Sequence, residues 1–62
     1  MYDVGDMVRI STDAISIGSE YLNKVALVVE VKTLDYLTTV RVLLGGQTLK
    51  WVDAHDLLKV EQ

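Results

Sequence analysis

The stretch Asp53-Ala54-His55-Asp56 is the part of the chain richest in groups that could do chemistry. An imidazole beside two carboxylates offers ligands to a divalent metal. Three ligands at the spacing i, i+2 and i+3 do not make the pattern of a structural zinc site. The same residues read as a capped turn, with Asp53 accepting hydrogen bonds from the backbone N–H groups just ahead of it. Ser11, Ser16 or Ser19 could supply a nucleophile and His55 a base. No nucleophile elbow or comparable positioning motif surrounds any of them. Gly45-Gly46 has neither the Lys-Ser/Thr nor the following helix of a phosphate loop. The chain has no cysteine, so thiolate metal sites and disulfides are out. A domain of this size also lacks room for the deep pocket most enzymes use. The expectation is a protein that is not an enzyme, with no catalytic, metal or cofactor residues.

The elements that carry these groups are short strands. Met7 to Ser11 alternates, with Val8 and Ile10 on one face. Residues 12–24 have no clean period and read as a long, partly packed loop with a helical turn at Ser19 to Leu22. "VALVVEVK" (Val25 to Lys32) follows, with Ala26, Val28, Glu30 and Lys32 on one side and Val25, Leu27, Val29 and Val31 on the other. Thr33 to Tyr36 is the expected turn. Leu37 to Leu44 places Val40, Val42 and Leu44 inward and Thr39, Arg41 and Leu43 outward. Gly45-Gly46 supplies the positive φ angles of a two-residue hairpin loop. With that loop, Leu49 and Trp51 face inward and Thr48, Lys50 and Val52 outward. A helical turn at Asp53 to Asp56 and a last strand at Leu57 to Val60 complete the order.

Sixty-two residues make a single domain, 1–62. A chain this short buries only about 60% of the surface its unfolded form exposes. Half of its residues are hydrophobic, so some of them must lie on the surface, where apolar patches mark association sites. The outward set Val28, Leu37, Leu43 and Val52 is the expected patch. The net charge is −3, and the six Lys and Arg residues are scattered singly. That argues against binding driven by phosphate contacts, which requires clustered positive charge. The first ten residues show no basic stretch followed by an apolar run, and "VALVV" is too short to span a bilayer. The expected location is the cytoplasm.

Five short strands, a long first loop, a glycine hairpin and a helical turn before the last strand outline an all-β, five-stranded SH3-like barrel. The segments "VGDMVRI", "NKVALVVEV", "VRVLLGGQTLKWV" and "DLLKV" together resemble the small SH3-like proteins of tailed bacteriophages and bacteria. The likeness covers nearly the whole chain. It implies a small accessory protein acting on a host protein in the host cytoplasm. The "VALVVEV" strand is also similar to that of KOW domains, which implies a nucleic-acid or ribonucleoprotein module. Asn23 and Ala26 stand where that family has glycines. The "ALYDY" stretch and Pro-x-x-Tyr turn of peptide-binding SH3 domains are missing, so proline-rich peptides are not implied.

The expected function is a non-enzymatic protein–protein interaction module, with another protein or a second copy as partner. The expected contact residues are Val28, Leu43 and Val52, rimmed by Arg41, Lys50 and Glu30. Trp51 has two readings, a core residue at the barrel mouth or a contact at the interface, since tryptophan is enriched at binding hot spots. A KOW-like module and a structural subunit are the alternatives.

Overall fold

A computed structural model describes residues 2–60. Strands β1 (Met7–Ile10), β2 (Val25–Leu34), β3 (Leu37–Leu44), β4 (Thr48–Asp53) and β5 (Leu57–Lys59) form one antiparallel sheet in the order β4-β3-β2-β1-β5. Two short 3-10 turns complete it, Ser19–Tyr21 in the first loop and Ala54–Asp56 between β4 and β5. The chain is thus all-β, with the five strands and the helical turn before the last strand that its pattern predicts.

One face of the sheet closes on Val8, Ile10, Ala26, Val28, Val40, Val42, Leu44, Val52 and Leu57, all buried. Five of these are valines, whose branched, stiff side chains fit the pleated surface of a sheet. The alternation of β1 and β3 is as expected: Val8 and Ile10, then Val40, Val42 and Leu44, point inward.

Two one-residue adjustments change the phase elsewhere. The first is the β3–β4 loop. Gly45 (φ 58°) and Gly46 (φ 78°) make the tight turn, and the Gln47 N–H donates to the Leu44 carbonyl at 3.3 Å. The strands nevertheless pair Leu44 with Thr48, so the loop holds three residues, not two. A shift of one residue turns every side chain of a strand to its other face. Val52 is therefore core, opposite Val40, and Trp51 lies outside, opposite Arg41. The second adjustment is a bulge in β2. Val28 pairs with Val42 and Glu30 with Arg41, leaving Val29 as the extra residue. Val28 and Val31 thus both face inward, although they are three positions apart, and Val31 packs against the core.

The long first loop is part of the fold. Ala14, Ile17, Tyr21 and Leu22 pack against the core. Its ends are stitched to β1: Ile10 N–H donates to the Lys24 carbonyl and Asn23 N–H to the Ile10 carbonyl, both at 2.8 Å.

These placements give opposite outcomes for two lysine substitutions. Val52→Lys buries an unpaired ammonium, which costs several kcal/mol, in a domain that holds only about 3–9 kcal/mol in all. It should abolish the cooperative thermal transition followed by circular dichroism. Leu43→Lys, on the opposite face of the sheet, should melt within a few degrees of the parent. A folded Val52→Lys protein would contradict the register described here.

Candidate functional site: the outer sheet face

Directly paired residues of antiparallel strands point to the same side. The registers therefore read out the outer face row by row. Met7, Leu27, Leu43 and Leu49 lie side by side across β1, β2, β3 and β4. The next row is Glu30, Arg41 and Trp51, and the next Lys32, Thr39 and Asp53. Leu34 and Leu37 close the far end of the β2–β3 hairpin. Leu27 and Leu43 are half-buried by their neighbours, while Met7, Leu49 and Trp51 remain 37%, 44% and 42% exposed. An apolar band thus crosses four strands on the side away from the core, with the indole of Trp51 beside it.

Charge frames the band. Arg41 Nη1 lies 3.7 Å from Glu30 Oε1, and both side chains are exposed. An ion pair of that kind adds little to stability. Beyond it, Lys32, Leu34, Leu37, Thr39 and Trp51 line a cleft of about 320 Å³. A larger groove of about 760 Å³ lies around the hairpin's inward-phase threonines, between Thr33, Thr38 and Tyr36 on one side and Tyr2, Val4 and His55 on the other. The hydroxyls of Thr33 and Thr38 are 3.3 Å apart.

The expected contact residues divide accordingly. Arg41, Leu43 and Trp51 come together on the outer face. Val28 and Val52 do not belong to it: both are fully buried in the core, for the two phase reasons given above. Lys50 is also removed from the rim. It pairs with Val42 in the inward phase, and its Nζ sits 5.8 Å from the centre of the Tyr21 ring at the long loop. Leu27 and Leu49 belong to the band but not to the expected patch, because the expected phase of β2 and β4 hid them; Met7, on the outward side of β1 as expected, joins the band through its pairing with Leu27.

The polar stretch 53–56 has structural duties. The Asp53 carboxylate caps the 3-10 turn, with Oδ1 accepting from the His55 N–H at 3.0 Å. Asp56 does something the sequence did not signal. Its Oδ2 accepts from the Ser16 hydroxyl at 2.5 Å, the Ser16 N–H at 2.9 Å and the Ile15 N–H at 3.2 Å. The Ser16 hydroxyl oxygen in turn accepts from the Asp53 N–H at 3.1 Å. One carboxylate therefore pins the long loop to the turn before β5. Among the described residues no three His, Cys, Asp or Glu side chains are grouped as metal ligands.

No family model matches the chain, and no curated protein or solved structure does.

The Ser16 hydroxyl first, and then the Ser16 N–H, hold the Asp56 carboxyl below the ordinary value of 3.8. Asp6 is lowered in the same sense, by the Asp3 N–H at 2.9 Å and by Lys59 at 3.5 Å. A carboxylate with a lowered folded-state pKa stabilises the fold above its unfolded pKa, and that stability is lost as pH falls through the folded value. The melting temperature should thus be flat near neutral pH and fall in acid, below the ordinary carboxyl range. Asp56→Asn should melt lower than the parent at neutral pH and lose less on acidification, with Asp6 supplying the remaining slope. An acid slope unchanged in Asp56→Asn would show that the Asp56–Ser16 contact carries no stability.

Proposed function

We propose that this protein is a non-enzymatic protein-binding module that works through the outer face of β2, β3 and β4. One observation carries the reading: Met7, Leu27, Leu43 and Leu49 form an unbroken apolar row on a sheet whose other face already holds a complete core. An antiparallel sheet with one packed face normally presents polar residues to water on the other. Here the apolar centre is flanked by a tryptophan and an arginine, the residue types most enriched where interfaces concentrate their energy. Glu30, Arg41, Lys32 and Thr39 supply the polar rim.

The basic residues favour a protein partner over nucleic acid. Arg9 donates to the Asn23 carbonyl, Arg41 pairs with Glu30, Lys59 pairs with Asp6 and Lys50 stands over Tyr21. They are spread over both faces of the sheet and do not form a phosphate-tracking stripe. Among the described residues no helix is long and apolar enough to cross a membrane. The likeness to small SH3-like phage and bacterial proteins fits this reading. In it, the protein acts in the cytoplasm by occupying a surface of another protein.

The test compares baits in a nuclease-treated bacterial lysate. The parent should retain a protein partner that Leu43→Lys and Trp51→Ala lose, with circular dichroism showing all three folded. Retention that is indifferent to both substitutions, or that disappears with nuclease treatment of the parent, would overturn the proposal.

A further inference from the structure

We infer that the β2–β3 hairpin carries a self-complementary contact by which two copies of this chain pair, the Asp35–Tyr36 tip of each entering the cleft beside Trp51 of the other. The inference rests on the outer face being a protein-binding surface, and it names one occupant for one end of that face.

The cleft defines the ligand chemistry. Leu34, Leu37 and Trp51 give it apolar walls, and Lys32 is the single charge among the residues that line it. Among the described residues Lys32 has no ion-pair partner. Such a cleft suits an apolar or aromatic side chain with a carboxylate next to it. The hairpin tip offers that pair. Tyr36 is 98% exposed, and Asp35 precedes it. The tyrosine ring borders the larger groove, but at that exposure little restrains it from turning about χ1. Asp35 holds a φ of 55°, in the left-handed region that Asp tolerates better than most residues, within a loop of only two residues between Leu34 and Leu37. The short loop presents the carboxylate from a defined place, which reduces the ordering cost of docking.

Geometry makes the contact reciprocal. The tip and the Lys32–Thr39 pair lie on the same hairpin, on either side of the Leu34–Leu37 pair. At a strand rise of about 3.3 Å per residue they are separated by roughly 10 Å. A two-fold axis that lies over the outer side of the Leu34–Leu37 pair, parallel to the sheet and perpendicular to its strands, carries each tip onto the other copy's cleft. The same axis stacks the two Leu34–Leu37 pairs on each other, and these side chains are 62% and 47% exposed in the single chain. Asp35 then meets Lys32 of the second copy twice. This is the isologous arrangement expected of a symmetric dimer. A single chain cannot make the contact itself, because its tip points away from its own cleft along the strands.

Sedimentation velocity and the emission of Trp51, the only tryptophan, followed from micromolar to millimolar protein, test the proposal. The parent should dimerise across this range, with Trp51 emission moving to shorter wavelength. Tyr36→Ala removes an almost fully exposed side chain, so it should melt like the parent and weaken the dimer by about tenfold or more, as loss of an aromatic anchor does. Lys32→Asp and Asp35→Lys should each abolish self-association. An equimolar mixture of these two variants should restore dimers, because in the mixed pair each tip meets a cleft of opposite charge. Should Asp35→Lys not fold at its left-handed position, Asp35→Asn suits that backbone, and it should weaken the dimer by removing the charge.

A chain that stays monomeric throughout, dimers indifferent to Tyr36→Ala, or folded charge variants that fail to restore dimers on mixing would each overturn the tip-in-cleft contact. The wider reading fails separately. Dimers or captured partners that depend on Leu43 but not on Tyr36 would leave the outer face standing as a binding surface. Leu43 independence with an intact Tyr36 effect would do the reverse.

Discussion

Val42 sits at the middle of the sheet with Val28 on one side and Lys50 on the other, and the inward phase of all three strands is fixed around it. Side-chain direction along a strand has a period of two, so the sheet can hold only one of two faces inward on each strand. The choice is set by the third loop residue, Gln47, and by the bulge at Val29. With these in place, Val28, Val31, Val40, Val42 and Val52 converge on one side. Leu27, Leu43, Leu49 and Trp51 are then necessarily on the other. The core and the binding face have one cause: both follow from the parity of two connections.

The long first loop depends on a second interaction, of a different kind. Ile17, Tyr21 and Leu22 contribute packing area, yet a loop of this length has many ways to place three apolar side chains. The Asp56 carboxylate accepting from Ile15 and Ser16, with Ser16 bonded onward to Asp53, selects one of them. Charge-assisted hydrogen bonds are stronger and more directional than neutral ones. The chain has no cysteine, and this carboxylate joins the Ser11 N–H, bonded to the Asp56 carbonyl at 2.8 Å, in tying the loop to the turn before β5. That makes the turn before β5 a joint between two halves of the chain.

Much of the fold was legible in the sequence, because alternation and turn residues are local signals. The five strands, the 3-10 turn at Ser19–Tyr21, the Asp53 cap and the inward residues of β1 and β3 follow from residue patterns alone. What was not legible was phase across a connection. "LLGGQTLKWV" reads equally well with a loop of two residues or of three, and the choice decides whether Trp51 or Val52 is core. The run "VALVVEV" is apolar on both parities, so nothing local marks Val29 as the bulge. For the same reason the local pattern puts Val28 and Val52 outside and Leu27 and Leu49 inside, leaves Trp51 between core and interface, and places Arg41 and Leu43 of the binding face correctly by phase. The Asp56–Ser16 contact spans 40 positions and joins two residue types common in any loop, so no sequence signal points to it.

The three-residue β3–β4 loop has a consequence for how this sequence can drift through evolution. Surface loops usually accept the gain or loss of a codon, since the chain simply spans the gap differently. Here in-frame loss of one codon between Leu44 and Thr48 would shorten a connector and also invert β4. Trp51 and Leu49 would be driven toward the valine core, and Val52 would be expelled. Residue type in this loop can vary as far as the backbone angles of Gly45 and Gly46 allow, whereas its length is under the same selection as the core itself. Descendants of this chain should therefore keep the spacing from Val42 to Val52 long after the residues between have changed.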